Sequence, residues 1–131
     1  MIELAFMKWL EDLKTANVMP TSFRRSIPAN HRKDGVAFEV ISTSPQGRFI
    51  SGLQEIQLTG IIVTFSCKEY SSLVKYSQKF RNLIRTTTKL GNMDILCIIP
   101  MGEGGDSKDE ENDMEQRKFN IGIKWVEKYE V

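Results

Sequence analysis

The sequence predicts an α+β domain, a four-stranded, mainly antiparallel sheet with two helices on one face, in the order α-β-β-α-β-β. Two observations lead there: two segments repeat apolar residues every three or four positions, and four others repeat them at every second position. The chain has 131 residues, enough for one core and too few for two. A single domain with one long insert accounts for all of it.

Residues 2–14 form the first helix in this reading. Ile2, Phe6, Trp9, Leu10 and Leu13 fall on one stripe, while Glu3, Lys8, Glu11, Asp12 and Lys14 cover the remaining face. Asn17 and Pro20 stop it, since neither favours continuation. Residues 15–35 follow as a loop, punctuated by Pro20, Pro28, Asn30 and Gly35 and pinned to the body by Phe23 and Ile27. Val36, Phe38 and Val40 then alternate with Ala37, Glu39 and Ile41 as a half-buried strand, and residues 42–47, with Pro45 and Gly47, are its turn. The second strand starts near Phe49 or Glu55 and runs to Cys67. Its apolar positions switch parity, from Ile56 and Leu58 to Ile61, Val63 and Phe65, so a β-bulge is expected at Gly60.

Residues 69–86 give the second helix. Tyr70, Leu73, Val74, Ser77, Phe80, Leu83 and Ile84 make its inner stripe, and Lys75, Gln78, Lys79, Arg81 and Arg85 lie outside. Ser71 or Ser72 is the expected cap, and the threonines at 86–88 with Gly91 end it, because consecutive β-branched residues are poor helix formers. Residues 93–99 are apolar at nearly every position, which predicts a central strand closed by Pro100. In 117–128, Phe119, Ile121, Ile123 and Trp125 alternate with Lys118, Asn120, Gly122 and Lys124, the pattern of an antiparallel strand packed on one side.

The insert at 102–116 separates these last strands. It is too polar to bury a core of its own and is expected to be a flexible, charged arm. Net charge over the chain is only +1, which argues against wholesale nucleic-acid or membrane attraction, but the charge is segregated. Arg24, Arg25, Arg32 and Lys33 crowd the early loop; Asp106, Asp109, Glu110, Glu111, Asp113 and Glu115, with Glu103, crowd the insert. Opposite charge on separate loops suits head-to-tail contact between copies, so the first ten of these are the candidate assembly contacts. The plain alternative is two solvated loops.

No constellation for chemistry emerges. His31 is the one histidine, and no Gly-x-Ser-x-Gly elbow supplies a nucleophile for it. Cys67 and Cys97 with one histidine do not have zinc-ligand spacing; they read as buried free thiols of a reducing, cytoplasm-like compartment. The glycines at 102, 104 and 105 are followed by acids that repel phosphate, and those acids lack the spacing of a calcium loop. No cofactor, metal or catalytic residue is expected, and no run is long enough to span a membrane. The first residues lack the basic start and apolar centre of a signal peptide.

The order of elements resembles a known family. A short helix at 2–13, a strand at 61–67 running into a helix at 70–84, and a final strand pair at 93–99 and 119–125 entered through Glu-Gln-Arg-Lys-Phe-Asn-Ile-Gly-Ile carry the likeness. The chain resembles the phage tail-terminator (tail-completion) and minor capsid proteins, which close a growing tail and join it to the head. The likeness is one of element order, with no signature motif and no invariant residue to transfer. It implies a structural, non-enzymatic subunit of a ring, commonly a hexamer. Its partners would be tail-tube and head-connector proteins, with DNA passing through the lumen without sequence-specific binding. It further implies a life in the host cytoplasm during assembly and then in the virion. The alternative is a small nucleic-acid-binding or regulatory module using the basic loop and the outer face of the second helix.

Overall fold

The computed structural model describes residues 2–48 and 54–128. Its elements are α1 (Ile2–Thr15), β1 (Thr21–Arg24), β2 (Gly35–Arg48), β3 (Gln54–Cys67), α2 (Tyr70–Thr86), β4 (Lys89–Leu90), β5 (Met93–Asp94), β6 (Cys97–Glu103), β7 (Ser107–Asp109) and β8 (Met114–Lys128). The expected four-stranded, mainly antiparallel sheet is corrected to a six-stranded mixed one. Its order is β1-β2-β3-β8-β6, with β7 also on β8, and β4 with β5 forms a separate ribbon. The extra edge strand is β1, from within the predicted loop, and it runs parallel to β2. Four residues with one aromatic, Thr-Ser-Phe-Arg, carry too short a pattern to announce a strand; pairing with β2 makes it one.

Both helices lie on one face. From β3 the odd-numbered side chains Ile61, Val63, Phe65 and Cys67 point to them, and from β8 so do Phe119, Ile121, Ile123 and Trp125. Phe80 of α2 is the centre: its ring lies 5.3 Å from Phe65, 5.3 Å from Phe119 and 6.3 Å from Trp9. Phe6 joins α1 to Phe38 of β2 at 5.3 Å. Tilted and edge-on rings at these distances add specific attraction to the burial of large apolar area. Tyr70 and Val74, expected inside, are exposed. The start of α2 has Glu69 as its N-cap with no side-chain cap hydrogen bond, so neither Ser71 nor Ser72 caps it.

The long hairpin departs most from expectation. The predicted turn at 42–47 is strand: β2 continues through it, paired to β3, with register shifts between Val40 and Ser42 and between Pro45 and Gly47. The proposed start of the second strand at Phe49 lies outside the described residues. The bulge expected at Gly60 sits across the ladder instead, on β2 at Ile41. The parity of β3 never changes. Glu55, Gln57 and Thr59 stay on the inner face and are buried, satisfied by a polar set: Gln57 Nε2 donates to Glu55 Oε1 at 2.8 Å, and Trp125 Nε1 donates to Thr59 Oγ1 at 2.9 Å. Ile56, Leu58 and Ile62 therefore face away from the helices.

The strand predicted over 93–99 is also two elements. Met93 and Asp94 pair with β4, and β6 starts at Cys97 on the edge of the sheet, not at its centre. Both open edges carry irregularities: β2 beyond β1 has Pro45 and two register shifts, and β6 has Pro100 and one shift, at Met101. Cys67 is buried as expected, and burial, with Asp34 nearby, pushes its thiol up to about 12. Cys97 is exposed.

Phe80→Ala removes the ring that three others meet and is expected to cost about 3–5 kcal/mol of unfolding free energy in urea titration. Ile41→Ala, on an exposed bulge, is expected to stay within about 0.5 kcal/mol.

Candidate assembly surfaces

The acidic insert is the far part of a hairpin. After the shift at Met101 the chain leaves β6, passes Gly104 and Gly105, and returns to the same edge of β8 as β7, where Ser107, Lys108 and Asp109 pair with Gln116, Glu115 and Met114. Gly104 N–H donates to the Lys118 carbonyl at 2.9 Å between the two strands. A tight turn at 110–113 closes the hairpin. Asp109 makes that turn: its carboxylate accepts from Glu111 N at 3.2 Å and from the Asn112 side-chain amide at 2.9 Å. The Asn112 contact above all holds the Asp109 carboxyl below its usual range.

Arg81 and Tyr70 of α2 fasten the hairpin to that helix, and Arg117 of β8 braces it from within. Arg117 forks onto Asp106, Nε to Oδ1 at 2.6 Å and Nη2 to Oδ2 at 2.9 Å, and Tyr70 Oη donates to the same carboxylate at 2.9 Å. Arg81 forks onto Glu103, with Nη2 to Oε2 at 2.8 Å, and its guanidinium lies 5.7 Å from the Phe119 ring centre. The Arg117 hydrogen bonds come first in holding Asp106 below the ordinary carboxylate range, and those of Arg81 do the same for Glu103. Sequence reasoning missed both arginines. The available signal was parity: Arg117 occupies the inward series of Phe119, Ile121 and Ile123. An arginine at such a position needs a partner.

Among the ten candidate contacts, the structure separates occupied charges from free ones. Arg24 pairs with Glu3 of α1, Asp106 with Arg117, and Asp113 with Lys108 at 3.0 Å, while Asp109 is taken by the turn. Arg25, Arg32 and Lys33 are exposed, and among the described residues they form no ion pair; the same holds for Glu110 and Glu111, while Glu115, also without an ion pair there, is half-buried. No ion pair joins the basic loop to the acidic hairpin among the described residues. Arg25 stands in the left-handed region, φ 73°, with its N–H on the Phe38 carbonyl at 2.7 Å. His31, from the same loop, packs edge-on against Phe23, centroids 4.7 Å apart, a structural contact.

A third surface is the sheet face opposite the helices. There Gly60 and Gly122 are direct partners, and a Cβ on Gly122 would meet Met101 Sδ at 2.9 Å and Leu58 Cδ1 at 3.0 Å. Met101 and Leu58 thus lie over the glycine on this face. Met101 is 59% exposed, Leu58 and Ile99 are half-buried near it, and Ile56 and Ile62 lie further along β3 on the same face, interleaved with Glu39, Asn120 and Lys124. No element covers this apolar ground among the described residues. No protein-family model matches the chain, and no curated protein matches it. No helix among the described residues is long and apolar enough to cross a membrane.

The two forked ion pairs set a pH dependence. Both carboxyls have folded values below their unfolded ones, so their contribution is present above about pH 5 and is lost as pH falls through the folded values. Unfolding free energy should therefore fall from pH 7 to pH 3, and should fall less in the Glu103→Gln/Asp106→Asn variant. Equal pH dependence of the two proteins in urea titrations would refute the role assigned to these pairs.

Proposed function

We propose that this protein is a structural subunit of a viral particle, a tail-terminator-like protein that assembles with copies of itself, closes a tail tube and joins it to the head. The observation that carries this reading is the uncovered sheet face. Met101, Leu58 and Ile99 stand around Gly122 there, on a rigid ladder with both helices on the other side. Exposed apolar side chains of this kind gain free energy when another protein covers them, by roughly 25 cal/mol per Å² of apolar area removed from water. The segregated charges on the loops that form no ion pair among the described residues provide orientation.

A second reading rests on α2. Between Tyr70 and Thr86 it has no acidic residue, and Lys75, Lys79 and Arg85 form no ion pair among the described residues. Such a face suits contact with phosphates in a small nucleic-acid-binding module.

Electron microscopy with a mass measurement separates the two. Closed rings with a central hole wide enough for DNA are expected, and Met101→Asp should leave circular dichroism unchanged while abolishing the rings. A monomer at every concentration, with DNA binding that weakens steeply in salt and is lost in Lys75→Ala/Lys79→Ala, would replace the first reading with the second.

A further inference from the structure

The ion pairs inside the chain determine which charges remain to face a partner. On the acidic side, Asp106, Asp109 and Asp113 are occupied, so the hairpin presents Glu110 and Glu111 at its turn, both exposed. Glu110 and Glu115 also act at a distance on Lys108, without pairing to it. On the basic side, Arg24 is held by Glu3. Arg25, in the left-handed region at the end of β1, lines two clefts, one with Glu3, Arg24 and Glu39 and one on the outer sheet face, and forms no ion pair among the described residues.

There Arg25 and Lys118 line one groove of about 250 Å³. Ser26, Thr64 and Gln116 add two hydroxyls and an amide to its wall, Ala37 is buried beneath, and no carboxylate lines it. Two cations without an internal partner, set among hydrogen-bonding groups in a concavity, form a receptor for carboxylates. The groove spans β2, β3 and β8; the acidic turn is a separate projection beyond the start of β8.

We infer that the Arg25–Lys118 groove receives the Glu110–Glu111 turn of a second copy of this chain. The inference deepens the assembly reading and rests on it. The contact is heterologous, one patch of one copy against a different patch of the next, and such contacts propagate around a ring when the rotation closes. The fixed β7–β8 pairing presents the two carboxylates on a preformed turn, so little ordering entropy opposes docking. The tether of Arg81 and Tyr70 to Glu103 and Asp106 keeps the base of the hairpin at a set distance from α2.

Charge reversal tests this in the full-length protein. Arg25→Glu/Lys118→Glu and, separately, Glu110→Lys/Glu111→Lys each place like charges in the contact and should weaken self-association at least about tenfold by analytical ultracentrifugation. The variant with all four changes restores opposite charge and should recover most of the association. Circular dichroism and thermal unfolding check that each variant folds, and all four positions are exposed or half-buried. If the parent protein assembles and either reversal assembles as well as the parent, the inference fails while the assembly reading stands. If the four-change variant stays as weak as the two-change variants, the pairing of groove with turn is overturned. A parent protein that is monomeric at every concentration overturns both the inference and the reading beneath it.

Discussion

The ladder between β3 and β8 is the constraint from which the rest follows. It runs without a register shift from Gln54 opposite Lys128 to Cys67 opposite Glu115. In a sheet, one residue of slip exchanges the two faces, so this unbroken register decides the surroundings of every residue in both strands. It sends Ile61, Val63, Phe65, Phe119 and Ile121 under the helices and sends Leu58, Gly60, Ile62 and Gly122 away from them. The ladder also reconciles a conflict within β3. The strand holds its parity by accepting Glu55, Gln57 and Thr59 on the inner face and satisfying them with side-chain hydrogen bonds, at the cost of leaving Ile56 and Leu58 outward.

That trade explains what was legible in the sequence and what was not. The helices were legible to within a residue or two, because Phe6, Trp9, Leu10 and then Leu73, Phe80 and Ile84 recur at the helical period and Asn17 and Thr86 stop them. The strand ending in Trp125 was legible because its polar and apolar residues alternate cleanly. The parity switch within β3 was read as a bulge because the pattern of apolar residues alone cannot reveal a buried polar cluster made by Thr43, Trp125 and Glu127 from two other strands. Pro45 and Gly47 suggested a turn for the same local reason. They are tolerated in strand because β2 has no neighbour on its outer side there.

The charged residues divide similarly. Composition revealed that basic and acidic loops exist and roughly where. It could not tell Arg24 from Arg25, or Asp106 from Glu111, because the distinction depends on partners remote in sequence: Glu3 for one, Arg117 for another. A charge list read from sequence thus overstates the charge available to a partner. Folding reduces it to a few positions whose spacing is set by the backbone.

The irregular edges have a further meaning. An open strand edge is a template that repeats itself on every added copy, and growth by that route has no natural end. Here Pro45, Pro100 and the shifts at Ile41 and Met101 break the row of hydrogen-bonding groups on both sides of the sheet. Those stretches make poor templates for an added strand, which leaves β1, only four residues long, as the regular edge. A contact made through a face or a turn sets one angle between neighbouring molecules, and that angle, repeated, closes a ring when the rotation fits and winds an open helix when it does not.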